Sequence, residues 1–438
     1  MKTTELNKKQ MAILQKLGPQ LESSGMLTRL WIGLLLLLIL FGGYGLYKQI
    51  AEGHVVTGMR DNVVWGYYIA NFIYFIGVSY GAAMLAAILH YCHVSWGRPI
   101  IRIAALMALV TGVIGPVFIL LCIGRFDRLH YLFIHARVQS PITWDVMVIS
   151  TYLVGITVFV YLLLIKDFAI LRDTSAIDLS GWRKRLYNAL ALRYKGAPDQ
   201  QSQVEHSTRS MAFIMVPKVI LAFAVLSWIF GMTLRPGWHS TIFGPSYVIS
   251  SVATGMALII GVMWVYRKIY HLEEYLTERH FRNMAYIMLV LVAAFGYFTF
   301  SEYITNWYSS GKWESAVTAK LLSFDDFGWA FHLANLFGIL LPIIVIAIPR
   351  FRTPTTIAGL SLLLVLAMWV RRYLTVVPSL ETPLLPIQDT RPEYIHYSAT
   401  WVEWALVLAG AATFFLFFTL VPKLINVIPI SEYDDESK

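Results

Sequence analysis

Trp65-Gly-Tyr-Tyr-Ile-Ala-Asn71-Phe-Ile-Tyr-Phe-Ile-Gly77-Val-Ser79-Tyr-Gly81-Ala-Ala-Met-Leu-Ala-Ala-Ile-Leu-His90-Tyr91 decides the fold, because the whole run lacks Lys, Arg, Asp and Glu. A bilayer core of about 30 Å takes roughly 20 apolar residues of helix, at about 1.5 Å of rise each. The run is therefore long enough to cross. A spanning β-strand would be only about 9–11 alternating residues, so the run reads as helix. Nine further runs meet the same requirement, near Leu30–Tyr47, Ile100–Ile123, Val146–Ile165, Met211–Thr233, Ser246–Tyr266, Asn283–Phe300, Phe327–Ile348, Ile357–Val376 and Ser398–Leu420. The expectation is an all-α polytopic membrane protein with ten transmembrane helices.

Composition agrees. Hydrophobic residues make up 57% of the chain and charged residues 14%, and the mean hydropathy of +0.61 is too high for a soluble surface. With the N-terminus placed in the cytoplasm, 23 Lys and Arg fall on that side and 11 on the other, Lys218 inside helix five aside. The positive-inside rule then places both termini in the cytoplasm. Topology accounts for the net charge of +9, and no nucleic-acid partner is needed to explain it. The organisation expected is a cytoplasmic tail at 1–29, a membrane domain at 30–420 containing a cytoplasmic loop at 167–210, and a cytoplasmic tail at 421–438. Met1–Arg29 is polar, so helix one is expected to act as an uncleaved signal anchor. The loop reads as a surface hairpin or short amphipathic helix plus a flexible linker through Gly196-Ala-Pro-Asp-Gln-Gln-Ser-Gln203.

The redox inventory is sparse. Two cysteines, Cys92 and Cys122, cannot house a Cys₄ iron–sulfur cluster. The eleven histidines do not pair deep within helices, so neither haem nor a metal site is expected in this chain. Metal centres, if used, belong to another subunit.

Polar and aromatic clusters instead crowd the outer loops. Helix two descends from Trp65-Gly66 past the Asn71 amide. Helix three ends in Cys122-Ile-Gly-Arg125-Phe-Asp127, and a loop carrying His130 and His135 runs to Ser140-Pro-Ile-Thr-Trp144-Asp145. Asp145 reads either as a helix cap complementing the dipole or as a proton acceptor facing a cavity. Glu302 after helix seven and Arg371 closing helix nine read as a structural pair or a proton path. Lys218 reads as a snorkelling side chain or a station on a proton half-channel.

These outer segments resemble a known family. Thr57-Gly-Met with Trp65-Gly66, Gly124-Arg125, Ser140-Pro141 with Trp144-Asp145, and Pro236-Gly-Trp-His-Ser-Thr-Ile-Phe-Gly-Pro245 carry the first part of the likeness. Glu302 with Trp307-Tyr308, Val376-Val-Pro-Ser-Leu380 and Thr400 with Glu403-Trp404 carry the rest. The ordered set, over roughly residues 55–425, looks like the NrfD/PsrC family, in its ten-helix branch as in alternative complex III and sulfite-reductase-associated membrane complexes. The resemblance implies two four-helix bundles, helices 2–5 and 6–9, flanked by helices 1 and 10. It implies a quinone, menaquinone or ubiquinone, as substrate in the first bundle near the outer surface, in a bacterial inner membrane. The partners it implies are a periplasmic, ferredoxin-like iron–sulfur subunit, molybdopterin-type and cytochrome c subunits, and a second membrane subunit, with membrane lipid around them.

Oxidising a quinol releases two protons and two electrons, so the pocket needs an apolar slot and a base within hydrogen-bond reach. Asp145 is the candidate catalytic residue. Trp65, Asn71, Cys122, Arg125, His130 and His135 are the candidate quinone-binding residues around it, and Lys218, Glu302 and Arg371 the candidate proton path. Two positions depart from the family pattern, Cys122 before Gly-Arg and Phe223 before Ser227-Trp228, where proton-exchanging groups are frequent. They keep a structural-anchor paralogue open as an alternative, and a secondary transporter is the reading from another class.

Overall fold

The computed structural model describes residues 10–14, 25–174, 181–309, 311–383 and 395–431. The basic residues Lys2, Lys8, Lys9, Lys16 and Lys438, and residues 175–180 of the 167–210 loop, lie outside this set. Among the described residues ten helices are long and apolar enough to span a membrane. They are α1 (Met26–Glu52), α2 (Tyr67–Tyr91), α3 (Arg98–Ile123), α4 (Pro141–Asp173), α5 (Pro198–Gly231), α6 (Phe243–Ile269), α7 (Glu278–Ser309), α8 (Gly328–Ala347), α9 (Pro354–Leu380) and α10 (Trp401–Leu424).

Several helices run past the apolar runs read from sequence, and proline explains where they begin. Pro141, Pro198 and Pro354 each occupy the first helical position, where a missing N–H costs nothing and φ is already helical. Two expectations are corrected here. Helix four starts five residues before Val146, which puts Asp145 in its second turn, with Ser140 as the N-cap residue. The linker through Gly196–Gln203 is largely helix, since α5 opens at Pro198. The short helix Gly181–Leu190 fits the amphipathic alternative. A π-turn at Leu336–Leu340 interrupts α8.

Helix α2 is the hub, buried almost all round against α3, α5, α6 and α9. Small residues make that possible. A Cβ at Gly81 would lie 2.7 Å from the Ser251 carbonyl oxygen, and one at Gly255 would lie 3.0 Å from the Ala82 nitrogen, so α2 and α6 meet backbone to backbone. Helices α3, α4 and α5 close around one side of α2, and α6 packs on α7 and α9 on the other. Helix α1 packs mainly on α10.

The two ends of the spanning layer are fastened differently. At the end holding the α4–α5 connection, Arg102 of α3 is buried and donates to Asp167 Oδ2 of α4 at 2.6 Å and to the Asn426 carbonyl at 2.9 Å. Asp167 in turn accepts from Ile430 N at 3.1 Å and Ser431 N at 3.2 Å, so the segment after α10 is strapped beneath α3 and α4 with Val427, Ile428 and Ile430 buried. At the opposite end, Glu403 of α10 is fully buried and accepts from Tyr397 Oη at 2.5 Å, Gly58 N at 2.7 Å and Thr400 N at 3.0 Å.

Candidate functional site

At the Glu403 end, α2, α3, α4 and α5 diverge around an apolar cavity of about 700 Å³. Trp65 enters just ahead of α2 and stacks on Trp238 with ring centroids 5.7 Å apart and an interplanar angle of 17°. One and two turns deeper on the same helix face come Ile69 and Phe72, as the helical repeat demands. Helix α3 contributes Ile119 and Cys122, whose thiol points to the Val64 carbonyl at 3.8 Å, and α5 contributes Leu226 and Phe230. The roof is the α3–α4 connection, which coils into a short helix at Tyr131–Ile134 and lays Leu129, Leu132 and Phe133 across the opening. Tyr131 is held edge-on between the rings of His130 and His135, at 4.5 and 5.0 Å.

Asp145 is the carboxylate of this wall. It is 2% exposed, and its Oδ1 is buried without a hydrogen-bond partner among the described residues. Its place in the second turn of α4 is past the first orphan N–H groups, so the cap reading does not describe it. A buried carboxylate oxygen left unpaired costs several kcal/mol unless a donor reaches it. An apolar slot with one unmet acceptor is suited to a flat ring bearing a hydroxyl.

The structure brings together Trp65, Cys122, His135 and Asp145. It does not bring Asn71, Arg125 or His130 into the wall. Asn71 turns to α9, accepting from Trp369 Nε1 at 3.0 Å and donating to its own Tyr67 carbonyl at 2.8 Å. Arg125 grips the exposed Asp127 through two hydrogen bonds of 2.9 Å, and that pairing holds the Asp127 carboxyl down at about 2, so the pair stays charged on the surface at neutral pH. Lys218 sits half-buried on α5 beside Gly155 of α4 and lines neither this cavity nor the next. Phe223 is core, set edge-on against Tyr80 and Tyr247 at 5.3 and 6.0 Å.

Glu302 and Arg371 share a second, smaller cavity of about 70 Å³ between α6, α7 and α9. No direct ion pair joins them among the described residues. Arg371 donates to Asn335 Oδ1 at 3.2 Å and lies over the rings of Phe295, Tyr303 and Phe331. Sequence reasoning passed over its neighbour Arg372, which is buried and donates to Ser250 and Ser251 Oγ, both at 2.9 Å, over the face of Tyr247. It also missed Arg128 and the roof side chains. A loop gives no periodicity from which a roof is read, whereas Arg372 falls one turn from the buried Met368 and Val376 and was legible in principle. No group of three His, Cys, Asp or Glu side chains is placed to hold a metal ion among the described residues.

Ten helices long and apolar enough to span, packed around a hub helix of small residues, define a polytopic membrane protein. Residues 55–383 match the polysulphide reductase NrfD family, and the chain belongs to it. It is 28% identical over 245 residues to a protein of Halobacterium salinarum provisionally named as a membrane subunit of dimethyl sulfoxide reductase, covering 56% of this chain and 53% of that one. Here the match spans about half of the relative's length. Two other relatives align nearly end to end. A selenate reductase subunit of Mesobacillus selenatarsenatis is 21% identical over 415 residues, 92% of this chain and 95% of that one. The Hdr-like menaquinol oxidoreductase integral membrane subunit of Archaeoglobus fulgidus is 22% identical over 415 residues, 91% and 94%.

Proposed function

We propose that this chain is the quinol-interacting membrane subunit of a multi-subunit oxidoreductase, and that the α2–α5 cavity is where the quinol binds. The observation that carries the reading is the unpaired, buried Oδ1 of Asp145 in the wall of a 700 Å³ apolar cavity. The ring lies between Trp65, Phe72 and Ile149, a hydroxyl donates to Asp145, and His135 in the roof faces the same space. As the ring is oxidised, Asp145 accepts a hydroxyl proton, and the two electrons leave to a partner redox centre docked above the roof. The second proton leaves by the same opening. The name of the Archaeoglobus relative favours menaquinol as the substrate.

The finer parts of the reading follow from the resemblance and the charge count: two four-helix bundles, a bacterial inner membrane with cytoplasmic termini, a ferredoxin-like partner on the outer face, and proton handling by Glu302 and Arg371 in the second cavity. Lys218 joins neither cavity, so proton release rests on Asp145. Cys122, in the wall where the family often has a proton-exchanging group, favours the structural anchor as a second reading.

Replacing Asp145 with Asn separates the two. The amide keeps the shape of the acid and loses its basicity, so assembly with partner subunits should be unchanged while quinol turnover falls about 10²-fold or more, the scale of a lost general base. Wild-type turnover in the assembled variant would leave Asp145 without a catalytic role and favour the anchor.

A further inference from the structure

Beneath the outer cavity, side chains of α2 and α4 meet in a core that holds two buried polar atoms with opposite needs. Tyr80 of α2 is fully buried, its ring edge-on to Tyr152 at 4.7 Å and to Phe223 at 5.3 Å, and its hydroxyl has no hydrogen-bond partner among the described residues. Asp145 Oδ1 of α4 is a buried acceptor without a donor. An unpaired polar atom in an apolar interior is costly, so a lone donor and a lone acceptor at one depth point to a link between them.

Helix register supplies the common depth. Ser79 Oγ of α2 donates to the Ala108 carbonyl at 2.6 Å and accepts from Tyr152 Oη of α4 at 2.7 Å, which satisfies both hydroxyls and fixes α2 against α4. Tyr152 follows Asp145 by about two helical turns, and α2 and α4 both start at the cavity end. Side chains lean toward the N-terminus of their own helix, so from the level of Ser79 the Tyr80 phenol reaches back toward Asp145. Of the titratable groups that act on the Tyr80 hydroxyl, Asp145 acts most strongly. The other groups near Asp145 are engaged or belong to the roof. Cys122 of α3 points to the Val64 carbonyl, Tyr247 of α6 donates to the Ile73 carbonyl at 2.9 Å, and Arg128 and His135 sit in the α3–α4 connection. Helix α5 presents Leu226, Ile229 and Phe230.

We propose that Tyr80 is a positioning residue for Asp145, its hydroxyl donating to Oδ1 across one buried water. A carboxylate oxygen accepts more than one hydrogen bond, so a donor on the inner side leaves Asp145 able to take the quinol hydroxyl from the cavity. The donor favours the charged form of the acid, which keeps a base ready beside the ring, and it fixes the direction in which the carboxylate points. What Tyr80 does in turnover rests on the quinol reading; the link to Asp145 does not.

The test follows the carboxyl C=O stretch of Asp145 against pH by infrared difference spectroscopy on the full chain in detergent, with Asp145→Asn identifying the band by removing it. No quinol is needed. Tyr80→Phe keeps the ring contacts with Tyr152 and Phe223 and should move the midpoint up by about one pH unit, the scale of one hydrogen bond to a charged group. Tyr152→Phe deletes a phenol from the same core whose hydroxyl is spent on Ser79, and should leave the midpoint in place. An unmoved midpoint in Tyr80→Phe, or an equal movement in Tyr152→Phe, overturns the link. In the assembled complex the acid limb of quinol turnover should rise by the same amount in Tyr80→Phe. A midpoint that moves while turnover is indifferent to Asp145→Asn upholds the link and removes the quinol reading instead.

Discussion

Asp145 and Asn71 show what a residue's position along a helix tells and what it leaves out. Both were expected at a depth near the outer face, and depth was read well enough to gather Trp65, Cys122, His135 and Asp145 around one cavity. Azimuth was not read. Trp65, Ile69 and Phe72 follow one helical face into the cavity, and Asn71, about 100° from Phe72, points to Trp369 instead. The same rotation by one residue separates Arg371 from the more buried Arg372. Glu403 was noticed as part of a family motif, but its partners at Gly58 and Tyr397 are brought to it by the fold, so its role as a fastener was not legible. Truncating it to Ala orphans the buried Tyr397 hydroxyl and the half-buried N–H groups of Gly58 and Thr400, at up to about 1–3 kcal/mol for each donor left without a partner. We therefore expect Glu403→Ala to lower unfolding free energy in detergent by about 3 kcal/mol or more, with Glu403→Gln milder because its amide oxygen still accepts. Indistinguishable denaturation midpoints for wild type and Glu403→Ala would remove the fastening role.

Among the elements, the ten apolar runs were legible because a bilayer enforces length and apolarity together. The helix ends were less so, since proline at a first helical position looks in sequence like a break, as at Pro198. Arg102 was counted as a loop charge, yet it is the cation of a buried pair tying α3, α4 and the segment after α10 together. Removing one member of such a pair leaves the other charge buried, at a cost of about 3–5 kcal/mol, whereas exchanging both for apolar residues is near neutral. Arg102→Met should therefore destabilise strongly, and Arg102→Met with Asp167→Leu should recover most of the loss. Recovery will stay incomplete, because Ile430 N and Ser431 N also lose their acceptor. A double variant no more stable than the single one would mean that the strap, rather than the charge pair, sets the cost.

For the whole molecule, the membrane class came from composition, which needs no knowledge of contacts. The 23 to 11 imbalance of Lys and Arg predicts that a reporter fused at Lys438 is cytoplasmic and one inserted near Gly311 is on the opposite side. Detecting both on one side would refute the orientation. The cavity itself was only half legible: the acid and its depth came from sequence, while the roof and the packing of four helices around an open slot depend on contacts that no local pattern encodes. The claim that quinol binds in this cavity is tested most directly by photoaffinity labelling of the assembled protein with an azido-quinone, followed by mapping of the modified peptides. We expect saturable labelling, displaced by unmodified quinol, within Trp65–Phe72 and Pro116–Leu153. Labelling concentrated around Glu302 and Arg371, or labelling that excess quinol does not displace, would contradict it.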